Sequence, residues 1–135
     1  MVLVDTSVWI TFLREGSSLL SDLLNEGKVL THPFIIGELR LGNISKRKNF
    51  LDLMENLPQC RQATNEEVTY LIESNQLYGK GIGYTDAHIL ASSIISQSLL
   101  WTLDKRLDAV AKKLKDNENK RQIFGMRDSS TKDIP

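Results

Sequence analysis

Cysteine is almost absent from this chain: Cys60 is the only one in 135 residues. A lone thiol excludes an intrachain disulfide and any zinc site built on paired cysteines, and it fits a reducing compartment. No apolar run approaches the roughly 20 residues that cross a bilayer. The N-terminus lacks the basic opening and small-residue cleavage site of a signal peptide. The expectation is a cytoplasmic protein without a membrane partner. Net charge is absent too, so the overall balance names no partner. What is present is an ordinary globular mixture, 41% hydrophobic and 25% charged, enough for one domain with its own core.

The charge is unevenly spread. Residues 1–104 carry eight Lys/Arg against twelve Asp/Glu, and residues 105–121 carry seven against three. A basic segment beside an acidic body suits a polyanion held near carboxylates. A solvated helix face is the commoner origin of such a run.

The chain opens on Met1-Val2-Leu3-Val4-Asp5-Thr6-Ser7-Val8-Trp9-Ile10. Apolar residues without polar alternation read as a strand buried on both faces. Asp5 then stands at its carboxyl end, where open α/β sheets place ligand sites. Thr6 or Ser7 is a candidate cap for a helix over residues 8–14. A second helix follows Ser17 or Ser18, and residues 28–32 make a second strand. Pro33 opens a third helix to about Leu41. A fourth helical pattern covers residues 45–57, and residues 59–63 make a weak strand. Thr64 and the acids after it start a helix to about Tyr78. A loop with three glycines, residues 79–83, precedes a helix from about Thr85 to Ile95. Residues 98–103 form a strand ended by Asp104, residues 105–115 a helix, and residues 122–124 a short edge strand. The alternation predicts an α/β fold, a three-layer α/β/α sandwich with a central, mainly parallel sheet of about four to five strands. One domain spans residues 1–125, with a polar tail over residues 126–135.

Four carboxylates have a place in this pattern. Asp5 and Asp104 each follow an apolar strand directly. Glu38 has Phe34, Ile35, Leu41 and Gly42 as helical neighbours, which sets it in the apolar arc of its helix. A buried carboxylate needs a partner, and Arg40, His32 or a cation would serve. Asp86 sits in the first turn of its helix and Asp104 before the first turn of the next, where acids also serve as ordinary helix starts. Together the four would repel one another, and a divalent ion resolves that. Mg²⁺ or Mn²⁺ takes such hard oxygen ligands and can activate water against a phosphodiester. His32 and His88 read as structural, with His88 opposite the apolar arc and near solvent. Trp9 and Trp101 read as core or dimer contacts, Tyr84 as a loop residue beside Asp86 able to meet a base. Lys46-Arg47-Lys48 reads as a solvated helix start.

The stretches Asp5-Thr6-Ser7-Val8-Trp9-Ile10, His32-Pro33-Phe34-Ile35-Ile36-Gly37-Glu38-Leu39, Gly81-Ile82-Gly83-Tyr84-Thr85-Asp86-Ala87-His88-Ile89-Leu90-Ala91-Ser92 and Trp101-Thr102-Leu103-Asp104-Lys105-Arg106-Leu107 together resemble a PIN domain, and more closely a VapC-type toxin of a bacterial toxin–antitoxin module. The resemblance covers residues 1 to about 114. It implies a Mg²⁺- or Mn²⁺-dependent endoribonuclease whose acids are Asp5, Glu38, Asp86 and Asp104. Asp5, Glu38 and Asp86 are then direct metal ligands, and Asp104 acts through water or a second ion. Ser7 and Thr102 match the hydroxyls beside the first and fourth acids. The resemblance also implies an RNA substrate, a homodimer and a VapB-like antitoxin. The rival is a PIN-like module that has lost catalysis and acts by binding.

Other phosphate chemistries fit poorly. Gly79 to Gly83 follows a helix rather than a strand, against a dinucleotide site or P-loop. A phosphohydrolase with an aspartyl nucleophile wants an acid where Ser7 stands. A receiver domain wants one after its third strand, and residues 59–63 have none.

Overall fold

Three short apolar segments pair in parallel: β1 (Val2–Val4), β2 (Val29–Leu30) and β3 (Leu99–Trp101), in the order β2-β1-β3. The computed structural model describes residues 1–125, with side chains as far as Lys115. Leu3 and Val4 point to opposite faces of the sheet, and both are fully buried. Helices therefore cover both faces, and the uninterrupted apolar opening of the chain follows from that double burial. The family of layers is the expected α/β/α arrangement.

Between the strands run α1 (Thr6–Glu15), α2 (Ser18–Asn25), α3 (Pro33–Arg40), α4 (Arg47–Asn56), α5 (Asn65–Ser74) and α6 (Tyr84–Ile95), and α7 (Lys105–Gly125) closes the described chain. The largest apolar cluster joins β1 and β2 to α1, α3 and α4 around Trp9, whose ring meets Phe12 and Phe50 edge-on. Smaller clusters join α5 to α6, and α6 to α7 through Leu77, Leu90, Leu107 and Val110. Cys60 is buried as packing.

The sheet has three strands among the described residues, with one bridge where a fourth was expected. Thr31 pairs with Gln59, using hydrogen bonds from Thr31 N to Pro58 O and from Cys60 N to Thr31 O. Beyond that point the backbone donors turn to α6: Arg61 N donates to Ser96 Oγ and Ala63 N to Ser92 Oγ. Side-chain hydroxyls thus take the bonds that a continuing strand would have used. Residues 122–124 are not an edge strand. α7 runs through them to Gly125, because no proline or glycine interrupts residues 105–124 and strong helix formers dominate. The polar tail over residues 126–135 lies outside the described residues. No described helix is long and apolar enough to cross a membrane.

Parallel pairing brings the ends of β1 and β3 to one sheet edge. Val4 is level with Trp101, and Asp5 N donates to Trp101 O at 2.9 Å. Asp5 and Thr102 therefore emerge side by side.

Candidate active site

Asp5 occupies the N-cap position of α1, yet its side chain caps nothing. Neither Thr6 nor Ser7 caps this helix, contrary to expectation; their hydroxyls point at carboxylates. Ser7 Oγ donates to Asp5 Oδ2 at 3.1 Å, and Thr102 Oγ1 donates to the same oxygen at 2.7 Å. Each hydroxyl is itself oriented by a backbone donor. Leu103 N donates to Ser7 Oγ at 3.0 Å, and Asp104 N donates to Thr102 Oγ1 at 3.1 Å. Asp5 is 7% exposed. A carboxylate this buried needs donors, and two aimed hydroxyls supply them at Oδ2.

Glu38 stands across from Asp5 on α3, where Thr6 Oγ1 donates to its Oε1 at 3.3 Å. It is not in a buried arc. Of its helical neighbours Ile35 is buried, but Phe34 and Leu41 are 42% and 90% exposed, and Glu38 itself is exposed. The structural partners that would explain it are engaged elsewhere. Arg40 pairs with Glu55, and His32 caps α3 by accepting from Phe34 N at 2.9 Å. Partial burial and then the Asp5 charge push the Glu38 carboxyl above the usual range, against the Thr6 hydrogen bond, and Asp86 adds to the rise.

Asp86 and Asp104 both hold helix starts. Gly83 N donates to Asp86 Oδ2 at 3.2 Å, and Arg106 N and Leu107 N donate to Asp104 Oδ1 at 3.0 and 3.2 Å. Those roles do not exhaust them. Burial pushes the Asp86 carboxyl up, and the charges of Asp5 and Asp104 push further against the Gly83 hydrogen bond. The four acids therefore share one field. Among the described residues none of them pairs with Lys or Arg. Nor do any three acidic, histidine or cysteine side chains among those residues stand close enough to ligate one ion as they are placed. The donor set still suits a hard divalent cation: all oxygen, mutually repelling, and without a neutralising side chain. Asp5 is buried and bonded by two hydroxyls, whereas Glu38 and Asp86 are more open.

Thr6 is the site residue the sequence reading missed. Its place beside Asp5 was the signal, but it read as a cap. A second feature was also missed. The rings of His32, Phe34, His88 and Tyr84 form a row of edge-on and tilted contacts with centroids 4.9, 5.1 and 4.7 Å apart, joining α3 to α6. His88 is therefore buried and not near solvent, at 5% exposure. Residues 87–93 of α6 are all buried, so that helix has no solvated back to receive it. Burial and the neighbouring His88 hold His32 down to about 4. Tyr84 ends the row 54% exposed, with its hydroxyl donating to Asn65 Oδ1 at 3.3 Å. In the Lys46-Arg47-Lys48 run, Arg47 donates to Arg40 O and Lys48 pairs with Asp52, both structural uses.

A parallel sheet with one oriented acid at its edge and three more around it defines the class. The sequence pattern of the PIN domain matches residues 2–113, and the chain belongs to the PIN-domain family. Within that family it is of the VapC type. It is 44% identical over 110 residues to Ribonuclease VapC32 of Mycobacterium tuberculosis, in strains CDC 1551 / Oshkosh and ATCC 25618 / H37Rv, a match covering 81% of this chain and 89% of the relative.

Proposed function

We propose that this chain is a divalent-metal-dependent endoribonuclease, the toxin of a VapBC-type toxin–antitoxin module. The ribonuclease name of its relatives supports the activity. The observation that carries the reading is the aimed, buried carboxylate of Asp5, facing three further acids that no described cation balances.

Asp5, Glu38 and Asp86 would hold Mg²⁺ or Mn²⁺ directly. Asp104, with Oδ1 committed to the start of α7, would act through water or a second ion. A divalent ion there supplies Lewis-acid stabilisation of a phosphodiester and a water of lowered pKa. Ser7 and Thr102 hold Asp5 Oδ2 in place. Thr6 positions Glu38. Tyr84 offers an exposed ring beside Asp86 on which a base can stack. A bound cation would bring both raised carboxyls down, offsetting their burial and the neighbouring Asp5 charge.

The same acidic cleft suits an inhibitor that presents a guanidinium, since Arg matches carboxylates in charge and shape. A VapB-like antitoxin and a homodimeric assembly are part of this proposal. Induced expression in a bacterial host without the antitoxin is expected to arrest growth, and Asp5→Asn to relieve the arrest. Growth untouched by the unsubstituted chain would count against the toxin role.

A further inference from the structure

The basic segment at the start of α7 is not simply a solvated helix face. Lys105, Arg106, Ala109, Val110, Lys113 and Leu114 share one side of the helix. Opposite them, the segment after α5 contributes Asn75, Leu77 and Lys80, and the two sides enclose a groove of about 400 Å³. Its floor is apolar: Leu77 and Val110 are buried beneath it. Its rim carries Lys80, Lys105, Arg106 and Lys113, all exposed. Among the described residues none of these four forms an ion pair. From Lys105 to Lys113 the wall is about 12 Å long at the helical rise, the length of about three stacked nucleotides.

The α7 wall of the groove begins directly after Asp104. Lys105 and Arg106 follow Asp104 directly, and Arg106 N donates to Asp104 Oδ1. The Arg106 side chain reaches across to Gly81, where an added Cβ would lie 2.6 Å from Cδ and 2.8 Å from Nη1. Two residues further on, Gly83 N holds Asp86. The Arg106 side chain thus lies against the loop that leads to Asp86, while its backbone holds Asp104.

We infer that this groove is the track for the single-stranded RNA backbone on one side of the cleaved bond. The inference rests on the ribonuclease proposal above. A strand whose phosphate is cut beside Asp104 can run on along the basic wall that starts at Lys105. Its phosphates meet the basic rim while sugars and bases cover the apolar floor. An acidic polypeptide shares only the charge half of this match.

The test uses the full chain with Lys80, Lys105 and Lys113 all changed to Ala, and a second variant with all three changed to Arg. Binding of a short fluorescein-labelled single-stranded RNA is followed by anisotropy in EDTA over a series of salt concentrations. Three lost phosphate contacts flatten the slope of log K against log salt by about 2 and weaken affinity about tenfold or more. The Arg variant is expected to keep both. With metal, the Ala variant is expected to cut the long RNA with a raised KM and to cut a dinucleotide, too short to reach the groove, as the unsubstituted chain does. If the unsubstituted chain binds and cuts RNA while the Ala variant shows the same slope and affinity, the track is wrong and the nuclease stands. If that variant keeps RNA but loses binding to polyglutamate, the groove belongs to an acidic protein partner and the inference is overturned. If the unsubstituted chain neither binds nor cuts RNA, the ribonuclease reading itself fails and the groove's role falls with it.

Discussion

Thr102 donates a 2.7 Å hydrogen bond to Oδ2 of Asp5, across 97 positions of sequence. The contact exists because β1 and β3 are parallel neighbours whose carboxyl ends stop at the same edge. Thr102 in turn accepts from Asp104 N, so one hydroxyl links the first acid to the fourth. Removing it leaves a buried carboxylate short of its closest donor.

Thr102→Val tests that link. It keeps the β-branched shape and deletes the hydroxyl. Leaving buried polar groups unpaired costs about 1–3 kcal/mol, and loss of an orienting partner costs about 10–100-fold in metal affinity or activity. Urea unfolding and RNA cleavage measure the two effects. Thr102→Ser is expected to recover most of both. Valine with full activity and stability would show that the hydrogen bond orients nothing.

The raised carboxyls of Glu38 and Asp86 set a pH dependence for metal stabilisation. Above the usual carboxylate range the unfolded chain has lost these protons while the metal-free fold still retains them. The fold then binds more protons, and its stability falls as pH rises through the raised values. A divalent ion competes with those protons and offsets the repulsion. The gain in Tm on adding Mg²⁺ should therefore grow as pH rises across that interval. Glu38→Gln and Asp86→Asn should shrink it. A Mg²⁺ gain that is independent of pH would argue against ligation by these two residues.

His32 predicts an acid-sensitive fold. Its imidazole is held down to about 4, whereas an ordinary histidine titrates near 6.5. Between those values the unfolded chain carries the proton and the fold does not. Stability is complete above about 6.5 and falls as pH drops toward 4, by at most about 1.4 kcal/mol per pH unit. His32→Asn keeps a side-chain acceptor for Phe34 N and removes the titration. Denaturant midpoints across this window should flatten in the variant. An unchanged slope would place the acid sensitivity elsewhere.

Gly81 and Gly79 make a matched pair of substitutions. Both have left-handed backbone, φ +80° and +71°, so alanine strains each by about 1 kcal/mol. Only at Gly81 does the added methyl meet a side chain, that of Arg106. Gly81→Ala is expected to weaken RNA binding well beyond Gly79→Ala at similar stability. Equal binding by the two would remove Arg106 from the track.

The legible parts of this molecule were those fixed by local pattern. An apolar run ending in an acid identified the end of β1, because a strand buried on two faces has no polar positions to disguise it. β3 instead stops at Trp101, with Leu99 exposed, and Asp104 lies three residues beyond it rather than directly after the strand. The illegible parts depend on what the rest of the fold covers. Glu38 seemed buried because its helical neighbours are apolar, but of those only Ile35 is buried, while Phe34 and Leu41 are exposed. His88 seemed exposed because it lies off the apolar arc, but residues 87–93 of α6 are all buried. Residues 59–63 have strand-like composition, and the hydroxyls of Ser92 and Ser96, some thirty residues away, take their donors. Thr6 looked like a cap because hydroxyls at helix starts usually are. Only the opposing α3 shows that Glu38 receives it.

The most direct test of the whole account is cleavage of total bacterial RNA by the purified chain and by Asp5→Asn, each with EDTA, Mg²⁺ or Mn²⁺. The account predicts discrete fragments that appear only with metal and only with the unsubstituted chain, while circular dichroism shows both proteins folded. Absence of cleavage with every metal, from folded protein free of antitoxin, would contradict it and leave a binding module. So would cleavage that persists unchanged in Asp5→Asn.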